Sequence, residues 1–282
     1  MTLDNFITSL VYLAGVFVLF FIGKLLFDLS YRRFNLKSEL VEKDNFAVAL
    51  TVTGYFFGLV FALSGVILGP SNGIWNDLFD LYFYGIAGII LMLISAKIND
   101  LIILRHFDNV KEIIDDQNAG TGAIEAGNHI AVGMIIAGAI SGQGGSLLTA
   151  LAFWGLGQLA LIVVSLAYNF ILPFDLHKEI EKDNVAVGVA FSGVLIALGI
   201  LIRLGIEGDF YSWSENLMDF AMYSGLGILL LPILRFITDT LLLPGAKLTD
   251  ELVNQEKPNV GAGLIEASSY VVAAMLISWA VH

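Results

Sequence analysis

The sequence has no cysteine and few charged residues, and both absences limit what the chain can be. Without cysteine it forms no disulfides, thiolate metal sites or cysteine nucleophiles. Charged residues make up 14% of the 282 positions and hydrophobic residues 57%, whereas a soluble domain carries roughly 25% charged residues. The net charge of −12 argues against nucleic acid as a partner. This composition predicts a protein whose main partner is the lipid bilayer.

The hydrophobic residues fall into eight blocks. At about 1.5 Å per residue, each block is long enough to cross a hydrocarbon core roughly 30 Å thick. The blocks span 6–30, 45–68, 76–104, 118–141, 146–172, 184–206, 214–243 and 259–281. We therefore predict an all-α membrane protein with eight transmembrane helices.

The connections between these blocks are short, and none is long enough to fold into a catalytic domain. The sequence also has no Gly-x-x-x-x-Gly-Lys-Ser/Thr, Gly-x-Ser-x-Gly or His-Glu-x-x-His motif. We therefore predict that the protein is not an enzyme and holds no cofactor or metal centre.

Positive charge is distributed unevenly along the chain. Only Asp4 precedes the first hydrophobic block, which is not the pattern of a cleavable signal peptide. Of the 14 Lys and Arg residues, all but Arg203 lie near the ends that join helices 1 to 2, 3 to 4, 5 to 6 and 7 to 8. They are Lys24, Arg32, Arg33, Lys37, Lys43, Lys97, Arg105, Lys111, Lys178, Lys182, Arg235, Lys247 and Lys257. The positive-inside rule then predicts that these connections are cytoplasmic and that both termini are on the periplasmic or outer side.

The chain contains an internal duplication. Glu42-Lys43-Asp44-Asn45 recurs as Glu181-Lys182-Asp183-Asn184, a shift of 181 − 42 = 139 residues. Further on, the stretch that begins at Asn118 recurs from Asn259, with two extra residues in the second copy. The pattern predicts two four-helix units, 1–141 and 142–282, that enter the membrane in the same direction. We expect a pseudo-two-fold axis along the membrane normal to relate them.

These motifs resemble the YjfL-type bacterial inner-membrane proteins, the family known as domain of unknown function 350. The family's four-helix unit has an Asn- and Gly-containing stretch at the start of its second helix and another at the start of its fourth. Here the first stretch is Asn184 to Gly193, with a looser copy at Asn45 to Gly54. The second is Asn118 to Gly122 and again Asn259 to Gly263.

The resemblance covers nearly the whole chain and implies a multi-pass protein of the bacterial inner (plasma) membrane. The activity of the family is not established, so the resemblance implies no catalytic residues. Its association with envelope-stress genes implies a protein partner, and its members with a single unit imply pairing, so a homo-oligomer is a further expectation.

Two acidic residues inside predicted helices are the main candidates for a functional site. Glu125 and Glu266 occupy equivalent positions about seven residues into their helices, roughly 10 Å from the end. Placing a charged group at the centre of a membrane helix costs about 2.5–3.5 kcal/mol on insertion scales. The two acids are therefore predicted to meet near the axis and form a cation or proton site. His129, one turn beyond Glu125, is a candidate proton shuttle. The alternative is that each acid only makes a buried structural hydrogen bond.

Other polar residues recur near the helix ends. Asp80 and Asp219 stand near the outer ends of helices 3 and 7 and are candidates for an acidic mouth that concentrates cations. A second set lies at the inner helix starts, where each residue is either a helix N-cap or part of an inner vestibule. This set comprises Asp44, Asn45, Asp183, Asn184, Asn118 and Asn259.

Two functional hypotheses remain open from the sequence. The first is a proton or cation channel or transporter that uses the paired carboxylates. The second is a non-enzymatic scaffold or envelope-stress partner protein that docks a soluble or membrane partner through the basic loops 31–44 and 105–117. The first predicts a polar cavity at the two acids, and the second predicts a dry, tightly packed axis.

Overall fold

A computed structural model of the chain describes residues 3–30, 35–69, 71–103, 108–243 and 245–281. Within these residues the secondary structure is entirely helical. The helices are α1 (Leu3–Ser30), α2 (Phe46–Ile67), α3 (Ile74–Ile98), α4 (Asn109–Ile114), α5 (Ala119–Ile140), α6 (Leu147–Ile171), α7 (Leu176–Glu181), α8 (Val185–Ile206), α9 (Trp213–Ile237), α10 (Leu248–Val253) and α11 (Val260–Val281). Short π-helical segments occupy Ser38–Glu42, Asn99–Ile103 and Thr238–Leu242.

The eight predicted spans are confirmed in the described part of the chain. Eight helices are long and apolar enough to cross a membrane, and their ends lie within two residues of the predicted ones. The short helices α4, α7 and α10 all lie on the side where the Lys- and Arg-rich connections are, which we call the basic side. Arg32, Arg33 and Arg105 belong to that charge pattern but lie outside the described residues.

The four helices that begin with an asparagine pack side by side in one row. Going along the row, α2 packs on α5, α5 on α8 and α8 on α11. We call these the inner helices. The remaining long helices flank the row. Helix α3 contacts both α2 and α5, α6 contacts α5 and α8, and α9 contacts α8 and α11. Because α5 and α8 have inner neighbours on both sides, they are the most buried spans.

The inner helices approach closely because the same two positions are glycine at every junction. They are the fourth and ninth residues after the asparagine that precedes each helix. A Cβ atom at any of the six glycines at the junctions would lie only 2.2–2.7 Å from an atom of the neighbouring helix. The six are Gly122, Gly188 and Gly263 at the fourth position and Gly54, Gly127 and Gly193 at the ninth. Small residues allow such contact where no hydrophobic force drives helices together.

The glycine pattern shows a repeat shorter than the predicted four-helix unit. Each building block is one flanking helix, one short segment on the basic side and one inner helix, and the chain contains four of them. The α5–α8 junction between the halves thus uses the same contact as the α2–α5 and α8–α11 junctions inside them.

This packing order does not fit the predicted two-fold axis. Such an axis would map α5 onto α11 and α8 onto α2, so the α5–α8 contact would require an equal contact between α2 and α11. In the described chain α2 and α11 lie at opposite ends of the row and make no comparable contact. The halves follow one another head to tail, which is a heterologous arrangement and not an isologous one.

The two ends of the row have lost the glycines. On the free face of α2 the fourth position is Ala49, and on the free face of α11 the ninth position is Ser268. Larger side chains stand farther along these faces: Val60 is 51% exposed, Val272 53% and Trp279 65%. The close contact of the inner junctions cannot be repeated at these faces, so the row ends within the chain, as terminal repeats end a solenoid.

The asparagines tie each inner helix to the next on the basic side. The side chain of Asn118 accepts a hydrogen bond from the Thr121 N–H (2.9 Å), as an N-cap does. It also donates to Glu112 (2.9 Å) and to the Ile180 carbonyl at the next short helix (2.7 Å). Asn45 donates in the same way to Ile113 O, and Asn184 to Leu252 O. Asn259 has no following short helix and is exposed.

Replacing Asn118 by alanine is expected to lower the free energy of unfolding by about 2 kcal/mol or more. An N-cap contributes about 1 kcal/mol, and a buried acceptor left without a donor costs roughly 1–3 kcal/mol more. The measurement is SDS-induced unfolding of the purified protein in mixed micelles. Asn259→Ala is the matched control, since it removes an exposed cap with no link to a next helix. Equal losses in the two variants would contradict the role of the link.

Candidate functional site

Glu125 is buried in the first half of the bundle and has no cationic partner at bonding distance. It lies on α5, is 1% exposed, and its Oε1 accepts hydrogen bonds from the side-chain amides of Asn99 (2.7 Å) and Asn109 (3.2 Å). Asn109 also donates to Asp100 (2.8 Å). Asn99 and Asp100 lie in the π-helical segment after α3, and Asn109 begins α4. The turn between α3 and α4 therefore folds over the carboxyl group.

Several buried polar atoms around Glu125 have no hydrogen-bond partner in the described chain. They are Glu125 Oε2, Asn99 Oδ1, Asn109 Oδ1 and His129 Nε2. A cavity of about 20 Å³ touches Glu125, Asn109 and Asp100, which is room for roughly one water molecule or one small ion. Native structures rarely leave buried polar atoms unpaired, so this cluster points to an occupant that the protein groups do not supply.

His129 lies one turn beyond Glu125 on the same face of α5, as predicted from the spacing. Its Nε2 is 3.9 Å from Glu125 Oε2, which is too long for a direct hydrogen bond. The imidazole packs edge-on against the Tyr55 ring, with 5.4 Å between ring centroids. The histidine thus separates the polar cluster from the apolar middle of the bundle.

Glu266 is equally buried but is held differently. Its carboxylate accepts a short hydrogen bond from Arg235, which forms an ion pair with it. The hydroxyl groups of Tyr168 (3.1 Å) and Tyr270 (3.0 Å) donate to the same oxygen. The sequence analysis explained Arg235 by pairing with Asp239 one turn away. In the structure Asp239 accepts the Leu248 N–H instead (2.6 Å).

The two acids do not form the shared site that was predicted. They have no hydrogen-bond partner in common in the described chain, and α8 lies between α5 and α11. The expectation failed because it assumed a two-fold axis between helices 4 and 8 of the sequence. In a head-to-tail row, equivalent residues of the two halves are separated by a whole four-helix unit.

The different surroundings of the acids come from four substitutions between the halves. Each equivalent position exchanges a neutral or small group for a charged, aromatic or apolar one, at shifts of 235 − 96 = 139 and 270 − 129 = 141 residues. The pairs are Ala96 and Arg235, Asn99 and Thr238, Asn109 and Leu248, and His129 and Tyr270. The second half has thereby gained a counter-ion for its acid, and the first half has not.

The outer acidic mouth is present only in the first half. Asp77 and Asp80 line a cavity of about 160 Å³ together with Tyr12, Tyr84 and Gln143. Asp77 accepts hydrogen bonds from the hydroxyls of Tyr12 and Ser71, both at 2.5 Å. Asp219, the predicted counterpart of Asp80, is exposed and is not among the residues lining this cavity. The predicted pair therefore does not form one mouth.

The predicted inner vestibule residues act in the structure as caps and turn residues. All four asparagines accept a backbone N–H at the start of their helices. Asp44 and Asp183 precede two of them in left-handed backbone conformations, with φ of 51° and 58°. Asp183 also accepts the Ala119 N–H (3.1 Å), and burial raises the pKa of its carboxyl group.

Two residues of the Glu125 cluster were missed in the sequence. Asn99 and Asn109 lie at the end of one helix and the start of a short one, where a polar residue is ordinary. Their distance to Glu125 depends on how the α3–α4 turn folds back across α5. The one available signal was that neither asparagine recurs in the second half, whereas most of the surrounding pattern does.

The fold and this cluster define the class of the molecule. It is a multi-pass α-helical membrane protein made of tandem repeats, with an ionisable group buried between its helices.

The family described as Domain of Unknown Function (DUF350) matches the sequence twice, over residues 1–140 and 144–281, so the chain belongs to this family. The resemblance predicted from the motifs is thereby confirmed. A UPF0719 transmembrane protein of Aquifex aeolicus (strain VF5) is 24% identical over 259 residues, which cover 90% of this chain and 93% of that protein. No solved structure matches.

Proposed function

We propose that the protein is a cation or proton channel or transporter of the bacterial inner membrane, and that Glu125 is its intramembrane site. The observation that carries this proposal is the uncompensated burial of Glu125 beside several unpaired polar atoms. An acid at this depth must take up a proton, bind a cation or find a partner. Glu266 has found its partner in Arg235 and is proposed to be structural.

The first half also supplies an approach from each side of the membrane. The cavity at Glu125 is partly bounded by α4 on the basic side, which we assign to the cytoplasm. The cavity at Asp77 and Asp80 opens on the opposite side, between α1, α2, α3 and the end of α5. Packed apolar side chains separate the two, among them Leu59, Leu63 and Met92, each at most 1% exposed. The conformation described is thus closed, and ion passage requires movement of α1 or α3 relative to the inner row.

Ion flux in proteoliposomes tests this proposal. Proton entry is followed with a pH-sensitive dye, and Na⁺ and K⁺ entry with radiotracers. We expect flux from the unchanged protein and a loss of at least about tenfold in Glu125→Gln, because the amide takes up no proton and carries no charge to attract a cation. Glu215→Gln is the matched control, since Glu215 is an exposed acid of the second half. Absence of flux from the unchanged protein, or equal flux in Glu125→Gln, would refute the translocation proposal.

The scaffold hypothesis keeps support from one surface. A groove of about 560 Å³ opens on the basic side between the end of α1 and the segment before α2. Val41 lines it and is 68% exposed. Residues 31–34 and 104–107 of the proposed docking loops lie outside the described part of the chain. If the isolated protein shows no flux, a photo-crosslinking side chain at Val41, compared with one at the exposed Leu229, tests whether this groove binds a partner in cells.

A further inference from the structure

We infer that the site at Glu125 binds one dehydrated monovalent metal cation of about the size of Na⁺. The inference deepens the proposed function, since it names the class of ion at the same site. It rests on the chemistry of the unpaired atoms, their net charge and the volume beside them, each of which points to the same kind of ligand.

The free atoms that converge on the site are mainly oxygens. Glu125, Asn99 and Asn109 are linked through hydrogen bonds at Glu125 Oε1, and each has a second oxygen that is buried and unpaired in the described chain. All three residues are at least 95% buried. Carboxylate and amide oxygens are the ligands that hard cations prefer. An amide that donates through its nitrogen to Glu125 keeps its carbonyl oxygen free for an ion.

The charge of the cluster matches a single positive charge. Asp100 lines the same cavity, but Lys97 lies 3.7 Å from its carboxylate and offsets its charge. The remaining charge belongs to Glu125, which has no Arg or Lys bonded to it. A monovalent cation makes the buried cluster neutral. A divalent cation would leave an unbalanced positive charge in a low-dielectric region, where it is costly.

The space and the number of ligands also exclude a hydrated or divalent ion. A cavity of about 20 Å³ has room for roughly one water-sized occupant, so the ion must shed its shell of water. Ca²⁺ takes six to eight oxygen ligands and Mg²⁺ keeps several waters in a near-octahedral shell. The three free oxygens and the nearby Asp100 do not supply such a shell.

Protons should compete with the metal ion for Glu125. Protonation removes the charge that attracts the cation, so apparent Na⁺ affinity is expected to fall as the pH is lowered. The ionisable groups around the carboxyl are His129 on α5 and Lys97 and Asp100 at the end of α3. The faces of α1 and α2 at the cavity contribute Phe27, Val48, Thr51 and Val52, which do not titrate.

Ligand-dependent thermal stability tests this inference, with the full chain in detergent. The melting temperature is followed while NaCl replaces choline chloride at constant ionic strength. A ligand that binds only the folded state raises the melting temperature with the logarithm of its concentration once the site fills. We expect this rise in the unchanged protein and its absence in Glu125→Gln. Direct ²²Na⁺ binding to the purified protein gives a second readout that does not depend on unfolding.

The second half supplies natural replacements for two ligands. Asn99→Thr and Asn109→Leu introduce the residues found at the equivalent positions, Thr238 and Leu248. Each variant is expected to raise the Na⁺ dissociation constant at least about tenfold, and Asn254→Leu, an exposed asparagine of the second half, should leave it unchanged. These variants keep the inference testable if Glu125→Gln does not fold.

Each outcome bears on one proposal or the other. Sodium binding that depends on Glu125 but occurs without ion flux supports the site and refutes translocation. Proton flux with no Na⁺ effect on melting or binding overturns the sodium site and leaves the proposed function standing. An equal Na⁺ effect in Glu125→Gln, or a stronger effect of Mg²⁺ or Ca²⁺ than of Na⁺, overturns the inference.

Discussion

Replacement of Arg235 by methionine should lower the free energy of unfolding by about 3–5 kcal/mol, the usual cost of removing one partner of a buried ion pair. Glu266 is fully buried, and the Arg235 side chain is 11% exposed. Without the guanidinium group, the carboxylate keeps only the hydroxyls of Tyr168 and Tyr270. SDS-induced unfolding in mixed micelles measures the change.

A double variant separates the charge effect from the loss of packing. Arg235→Met combined with Glu266→Gln removes both charges, and we expect it to recover most of the lost stability, because no unpaired charge remains buried. Glu125→Gln should cost far less than Arg235→Met, since it removes a buried charge that had no counter-ion. A double variant as unstable as Arg235→Met would show that the arginine stabilises the bundle by packing alone.

Substitution of Gly133 by valine is expected to prevent normal packing of α2 on α5. A Cβ atom at this position would lie 2.0 Å from the carbonyl oxygen of Gly58. This oxygen belongs to helical backbone, which cannot rotate away as a flexible side chain can. Overpacking in a tight core costs typically 1–3 kcal/mol and occasionally more, and we expect at least about 3 kcal/mol here because two backbones must separate.

The matched control for this variant is Gly155→Val on α6. A Cβ atom at Gly155 meets nothing within 4 Å, so the same substitution has open space there. SDS-induced unfolding and the monodisperse fraction in detergent should show a large loss for Gly133→Val and little change for Gly155→Val. Comparable losses for both would indicate that the added valine, and not the position, causes the effect.

The two buried acids show how a duplication can give one residue two different roles. Glu125 and Glu266 share their sequence context, their helix position and their burial. What differs is the residue one helix away, Ala96 in the first half and Arg235 in the second. The arginine leaves Glu266 no need of an ion, whereas Glu125 keeps a carboxyl oxygen free. We therefore place the proposed ion site in the first half alone.

The row of inner helices was beyond what the two-copy alignment could show. The repeat of 139 residues is readable because whole motifs recur, such as Glu42 to Asn45 at Glu181 to Asn184. The two-helix repeat within each half leaves only an asparagine followed by glycines at set positions. Its meaning depends on distance, since the glycines mark where one backbone touches the next.

By itself the sequence determined the eight spans, their alternating direction, the basic side and the duplication. These features depend on hydrophobic length, on the positions of Lys and Arg and on recurring motifs, all of which are local along the chain. The sequence also picked out Glu125 and Glu266, because an acid among apolar residues is conspicuous wherever it folds.

Only the tertiary structure decided how the helices are ordered and which acid is paired. Helix order follows from the fit of small faces against one another, which involves residues far apart in the chain. The partners of Glu125 come from the α3–α4 turn, and those of Glu266 come from α6, α9 and α11 itself. In a low-dielectric interior a difference of one counter-ion outweighs the identical local sequence, because the energy of a buried charge depends on its spatial neighbours.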